Sequence, residues 1–480
     1  YRSPLTDSTH PGGPCVELID DTGRILGVIN VIDALVILLV LAVVIAGVAL
    51  VTQPEPPPPT PEARYVTLDL GTHPAYIADQ ITRGDRYQSA ADTTLTITDV
   101  YATETGDGRH VLVRTRLTAP DGGGGFEYNG APPRLGRSLT ISTSTYEVSG
   151  RILSVDRTGA SLPLTTVPVL LEATVSAEAA TRIDAGDNLS ITDRSVATVL
   201  QVLRYDTDSP TRKRVVVLAS VLAYRNRGTL QFGTTPLQIG RTIHLRTADY
   251  TLSGTILRTD VSRLPTADTE VLLRLTLPTE TAGKLSSGDT YDVSGHPVAT
   301  VEAIDAYGTG NPDLTRLYVG LTYRTYQPGA RPQFAGKVVR EGATLPFRTT
   351  DYEVTGEVVR MNALEQRGRQ TSRTVRLELE NVDPDLAASL HGGMTERVRG
   401  TTIAELRSVM VEPAEMVLTS DGGEVFLREH PLNKDVTITA DLRVRESATG
   451  VTFKGSTIRT GDQIVLDLGT ITLRATITAL

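Results

Sequence analysis

The sequence predicts a mainly β chain: one N-terminal transmembrane helix followed by four tandem small β-barrel modules, each of two related halves with a short helix. Three observations predict it. Residues 34–51 run for eighteen positions with no charged or polar side chain. A motif of glycine, tyrosine ten residues on, and a closing glycine reads GRSLTISTSTYEVSG at 136–150, GRTIHLRTADYTLSG at 240–254 and GATLPFRTTDYEVTG at 342–356. A worn copy, GDQIVLDLGTITLRA, stands at 461–475. Between these lies a second marker, a Gly-Asp pair at Gly84-Asp85, Gly186-Asp187 and Gly288-Asp289, with Gly393-Met394 in the fourth place.

The two markers keep time with each other. The first-half glycines stand 102, 102 and 105 residues apart, and Gly136, Gly240, Gly342 and Gly461 stand 104, 102 and 119 apart. Chance rarely holds two registers over four copies, so the chain is read as a tandem array. The modules are placed at 65–165, 166–267, 268–371 and 372–480. In the last, Ile471 replaces the tyrosine and Ala475 the closing glycine, as in a degenerate terminal repeat. An insertion around 415–433 accounts for its extra length and is assigned to that cap.

Residues 1–28 form a tail in which Pro4, Pro11, Gly12, Gly13 and Pro14 discourage regular structure. The transmembrane helix is placed at 29–52. Its eighteen apolar residues span about 27 Å at about 1.5 Å per residue, close to a hydrocarbon core. A retained anchor is preferred to a cleaved signal, because no strongly basic segment precedes the run and no A-x-A site follows it. Arg2 and Arg24 before the span, against Arg64 after it, place the N-terminus in the cytoplasm and the modules outside. Asp33 suits the positive N-terminal end of the helix. The stretch 53–64 holds a proline-rich run, 54–61, which reads as a stiff polyproline II spacer.

Each module opens on an alternating strand. In the third, Val271, Leu273, Leu275 and Leu277 face one way while Arg274 and Thr276 face the other. A short helix is expected at 76–81, 176–183, 278–285 and 384–390, the last opened by an Asp383 cap and Pro384. The Gly-Asp turn follows, then two strands, then an aromatic eight residues ahead of the second-half glycine: Tyr128, Phe232, Phe334 and Phe453. The tyrosine motif closes the module. Glycine permits the positive φ of a tight turn, and the aspartate beside it can cap freed amides.

The chemistry is notable for what is missing. The net charge of −9 argues against nucleic acid, which calls for a basic face. Only five of the 47 basic residues are lysine, a bias that fits either a high-salt habitat or a GC-rich genome. Cys15 is the single cysteine, so no intrachain disulfide can form. The seven histidines are dispersed, and no phosphate loop, nucleophile elbow, zincin helix or calcium loop is present. No catalytic, cofactor or metal residues are assigned.

Tyr146, Tyr250 and Tyr352 are read as one structural tyrosine per barrel, half-buried with its hydroxyl at the rim, rather than as a ligand-stacking ladder. Asp85, Asp187 and Asp289 are read as turn caps rather than cation ligands. The closing Gly150, Gly254 and Gly356 are repeat markers. The loop at 103–108 is read as a hairpin turn and the glycines at 122–125 as a flexible loop.

Three resemblances bear on function. The Gly-Asp turn resembles the Gly-Asp box of cradle-loop barrels and the Gly-Asp turns of lipoyl-like and membrane-fusion adaptor domains. The lead into the helix, D-x-x-G-R-I-L-G-x-I-N-V-I-D at 20–33, resembles an uncharacterised family of single-pass membrane proteins with Gly-Asp β-repeats, associated with halophilic archaea and some bacteria. That family implies no activity and no functional residues. The layout is also similar to that of the mammalian-cell-entry class of lipid-transporting proteins, an analogy of plan alone.

The expectation is a non-enzymatic cell-membrane protein whose modules self-assemble outside the cytoplasm. Its expected partners are the bilayer and copies of itself, with other envelope proteins or lipids as further candidates. A conduit for lipid or other apolar cargo, and a modular glycan-binding surface, are the alternatives.

Overall fold

The run of apolar residues forms one α-helix, Val31–Val51, none of whose residues is buried against the rest of the protein. Asp33 lies in its first turn. The helix starts two residues later than expected, because Ile29–Asn30 pairs instead with Arg24–Ile25 as a minimal antiparallel ladder. The fold is that of a computed structural model, which describes residues 24–25, 29–52, 61–89, 93–120, 125–419 and 425–480, with backbone alone up to Asn30. Cys15, half of the 20–33 lead, the spacer up to Thr60 and the glycines at 122–124 fall outside these residues.

Four curled, barrel-like antiparallel sheets follow the helix in tandem. The second shows the plan. Its first half supplies a long strand Leu164–Ser176, a helix Ala177–Arg182, a short strand Asn188–Ile191 and a final strand Arg194–Asp206. Its second half supplies a long strand Arg212–Asn226, a minor hairpin Thr229–Phe232 and Thr235–Pro236, a short strand Thr242–Arg246 and a final strand Thr251–Arg258. Across the sheet the order is short, final, long, then long, final, short: 188–191, 194–206, 212–226, 164–176, 251–258, 242–246. The order is a palindrome, so exchanging the halves maps the sheet onto itself. The other three sheets repeat it.

The two halves share a backbone device as well. Each marker glycine donates its N–H to an apolar residue of the final strand, whose own N–H returns to the residue after the glycine. Gly186 and Asp187 clasp Val199 at 2.8 Å in both directions, and Gly240 and Arg241 clasp Ile256 at 2.8 and 2.7 Å. The same pair recurs at Ile97, Ile152, Val301, Val358, Leu406 and Ile477. Each marker glycine has φ between 79 and 101°, which a β-carbon disfavours.

Just past each clasp the register slips by one residue, as between Val199 and Gln201 or Ile256 and Arg258. A bulge bends its strand and sharpens the local twist. Two per sheet curl the flat ladder until its inward faces meet.

Those faces are filled. Tyr323, Phe334 and Phe347 are among the largest fully buried side chains, and Phe334 meets Tyr323 edge-to-face at 4.7 Å. The interior of each sheet is a packed core rather than a bore.

The short helices are Ala75–Ala78, Ala177–Arg182, Thr279–Lys284 and Pro384–Ser389. The first is shorter than its sequence suggests. Its N-cap is Pro74, with no side-chain hydrogen bond, whereas Ser176 and Asp383 accept from N–H groups of the first turn in the second and fourth.

Candidate functional site

The two sequence markers meet. In each of the first three modules the motif tyrosine of the second half donates its hydroxyl to the Gly-Asp carboxylate of the first. Tyr250 Oη lies 2.6 Å from Asp187 Oδ2. Tyr146 bonds Asp85 and Tyr352 bonds Asp289 in the same way. These partners are more than sixty residues apart in the chain. The junction ties one edge of the curled sheet to the other by side chains.

Each partner is held from behind. Asp187 Oδ2 accepts the N–H of Asp184 at 2.8 Å, Asp289 Oδ2 that of Ser286 at 2.8 Å, and Asp85 Oδ2 that of Thr82 at 2.9 Å. Each aspartate is thus both a turn cap and an acceptor for the tyrosine. On the other side a threonine three residues before the tyrosine closes the turn. Thr247 N–H donates to the Tyr250 carbonyl at 2.9 Å, and Thr247 Oγ1 accepts from Asp249 and Tyr250 N–H, each at 3.2 Å. Thr143 and Thr349 do the same.

Tyr146 and Tyr250 are buried, more deeply than the half-buried rim position expected, and Tyr352 is half-buried. Burial is the larger cause that raises these phenols above their ordinary pKa, and the hydrogen bond to the neighbouring carboxylate adds to it. They therefore remain proton donors through the physiological range.

The closing glycines have a separate reason. A β-carbon on Gly254 would lie 2.9 Å from Leu171 Cβ, and one on Gly356 3.0 Å from Leu273 Cβ. On Gly150 it would collide with Leu70. They let the final strand press against the long strand of the first half.

The modules also lock to one another, which sequence reasoning did not anticipate. Tyr101 Oη donates to the Leu222 carbonyl at 2.6 Å, and Tyr205 Oη to the Arg324 carbonyl at 3.1 Å. The two acceptors are 102 residues apart, so the second and third modules receive their neighbours alike. Asp99 also pairs with Arg194 of the second module at 2.5 Å. Within its own module Asp99 Oδ2 accepts Leu162 N–H at 2.9 Å, and one repeat on Gln201 Oε1 accepts Leu264 N–H at 2.6 Å, each holding the segment that leads into the next module. Between the third and fourth modules, Arg445 pairs with Asp305 at 2.6 Å. Leu272, Tyr307, Tyr318 and Ile403 form an apolar seam there.

Reactive groupings are few. His110 Nε2 lies 2.8 Å from Asp69 Oδ1, the arrangement nearest to an acid–base pair. Burial tends to raise the Asp69 carboxyl, but the hydrogen bond and charge of His110 overcome it and hold it below the usual carboxylate range. His110 is itself buried at the seam with the second module near Gly233, while the Asp69 side chain is about a third exposed. Among the described residues no three His, Cys, Asp or Glu side chains gather as metal ligands.

The clefts beside the latches are polar and mixed in charge. One of about 510 Å³ is lined by Glu178, Arg182, Arg212, Asp249 and Tyr250. Another of about 430 Å³ is lined by Lys284, Asp289, Asp292, Arg348 and Tyr352.

The profile of one protein family, described as a domain of unknown function (DUF4330), matches the chain twice, over residues 16–156 and 354–480. The chain belongs to the DUF4330 family. The first DUF4330 match takes in the apolar helix and the first sheet, and the second ends with the fourth sheet. No curated protein matches the chain.

Proposed function

We propose that this protein is a membrane-anchored, non-enzymatic envelope component whose β-modules self-assemble into an extracytoplasmic structure. The observation that carries the reading is the exposed 21-residue apolar helix joined to an array of filled, mutually locked sheets. A helix with that surface needs lipid around it. An array whose side chains cross every junction is built to hold a shape. The latch tyrosines and aspartates serve that shape, since each already satisfies the other. The arginines flanking the helix support an N-terminus on the cytoplasmic side.

Neither alternative gains a specific observation. A conduit for apolar cargo calls for an apolar stripe in every module, yet the described part of the third module exposes no large hydrophobic side chain. The polar clefts differ from module to module, which does not favour repeated glycan sites.

Alkaline extraction of membranes from cells expressing the full chain, followed by imaging of detergent-purified particles, tests the reading. It predicts retention in the membrane fraction and particles of more than one chain. Release into the aqueous fraction, or a uniform single rod, would contradict it.

A further inference from the structure

The fourth module carries an element the others lack. Its two central strands, Thr401–Thr419 and Val425–Ser447, run on past the barrel as a long hairpin. In the second module the corresponding hairpin stops at Asp206 and Arg212, where Asp206 accepts the hydroxyl of Tyr291 from the next module. In the fourth the strand continues through Pro413 instead.

The extension is built rather than loose. His430 Nδ1 accepts the N–H groups of Leu432 and Asn433, at 3.2 and 2.8 Å. Asn433 Nδ2 donates to Asn381 Oδ1 at 2.9 Å, and Asp435 Oδ1 accepts Asn381 N–H at 2.7 Å. This polar knot aims a separate small hairpin, 415–419 paired with 425–429.

That hairpin is apolar on both faces. Pairing sets Val417 against Leu427 on one side and Leu418 against Phe426 on the other. Val417, Val425 and Leu427 are each about two-thirds exposed. Outside the helix, twelve large hydrophobic side chains are exposed among the described residues, and eight lie on this extension. The other four are scattered singly through the first two modules, as is ordinary for a protein surface. Such a concentration marks an interaction site.

We propose that the hairpin of one copy pairs with the same hairpin of a second copy. Three observations select that occupant. Both outer edges of the hairpin lack a partner strand among the described residues, and another strand satisfies those N–H and C=O groups where lipid cannot. The connecting sequence, Ser-Asp-Gly-Gly-Glu at 420–424, holds two carboxylates, which hydrocarbon disfavours. Among the described residues, the only clustered apolar surface outside the helix that could match the hairpin is the hairpin itself, which makes the contact isologous. The inference rests on the self-associating reading above and adds the surface that performs it. An anchor also holds all copies in one plane, presenting their hairpins to each other at raised effective concentration.

The test uses the full chain in liposomes, with Cys15→Ser to remove the native thiol and Leu427→Cys to place one on the hairpin. Tyr76→Cys, exposed on the first module, is the control. Leu427 and Tyr76 are both exposed and belong to no core cluster, so neither change threatens the fold. Mild oxidation is expected to yield a covalent dimer about tenfold faster at 427 than at 76. No such dimer, with light scattering still showing more than one chain per particle, overturns the hairpin contact and leaves self-association standing. A single-chain particle throughout overturns both. A fluorophore at 427 quenched by brominated lipid, without cross-linking, gives the hairpin to the membrane and also overturns the proposal.

Discussion

The first three modules and the fourth solve one problem in two ways. In modules one to three a threonine, a tyrosine and an aspartate join the two halves by polar contacts. In the fourth, Leu468 stands for the threonine, Ile471 for the tyrosine and Met394 for the aspartate. All three pack against that module's apolar core. The backbone scarcely notices: Leu468 N–H still donates to the Ile471 carbonyl at 2.9 Å, and Gly393 and Met394 still clasp Leu406. The fold is therefore set by the glycine clasps and bulges, and the side chains that close it are exchangeable as a set. Changing one member alone would strand a buried hydroxyl or carboxylate, which is costly, whereas changing all three leaves nothing unpaired.

The fourth module has a polar burial of its own. Glu396 occupies the place held by Tyr291 in the third module, and its carboxylate lies 2.6 Å from Lys454 Nζ, with the two side chains 1% and 12% exposed. Lys454 also donates to the Val465 carbonyl at 2.7 Å. Burial pushes the Glu396 carboxyl up and the Lys454 ammonium down, each opposed by the partner's charge. The pair sits beneath Gly308 of the third module, whose absent β-carbon makes room for it.

The largest effect that separates the two designs should come from this pair. Glu396→Gln leaves a buried ammonium without its counter-ion and should cost about 3–5 kcal/mol, read as faster hydrogen exchange confined to the fourth module and its seam. Asp187→Ala in the second module removes both the turn cap and the acceptor of Tyr250. It should cost about 2–3 kcal/mol there, with faster exchange around 184–199 and 247–256.

A graft sharpens the comparison further. Ile471→Tyr alone buries a hydroxyl without an acceptor and should cost about 1–3 kcal/mol, and adding Met394→Asp should recover at least half of it. If the graft is no better than the single change, the polar and apolar closures are not equivalent sets.

The smallest effect at ordinary pH is the titration of the phenols. A folded pKa above the unfolded value of about 10 means stability is intact below pH 10 and falls as pH rises beyond it. The first three modules should loosen there before the fourth, which has no latch tyrosine. Exchange profiles collected at rising pH would show the order.

Much of this was legible in the sequence because repetition amplifies weak signals. The marker glycines announce the turns, and their spacing gives the modules. The pairing of tyrosine with aspartate was not read, since partners in different halves leave no local pattern. Yet a signal existed. Met394 and Ile471 depart from the repeat in the same module, the trace that a contact leaves when both ends change. The tyrosines at the module seams, Tyr101 and Tyr205, lie on strands whose apolar residues point both ways, so alternation could not separate core from junction. The insertion around 415–433 is assigned to the terminal cap from its extra length, and alternation along it does not announce an exposed hairpin. Only its place beyond the barrel shows that no core covers it.

The central claim, that each of the first three barrels is closed by one tyrosine–aspartate bond, is tested most directly by a double-mutant cycle on Tyr250→Phe and Asp187→Ala. Hydrogen exchange within the second module should be the readout, because four modules do not melt as one transition. The account predicts a coupling of about 1 kcal/mol or more between the two changes. Effects that simply add, to within about 0.3 kcal/mol, would show that the two side chains do not act together.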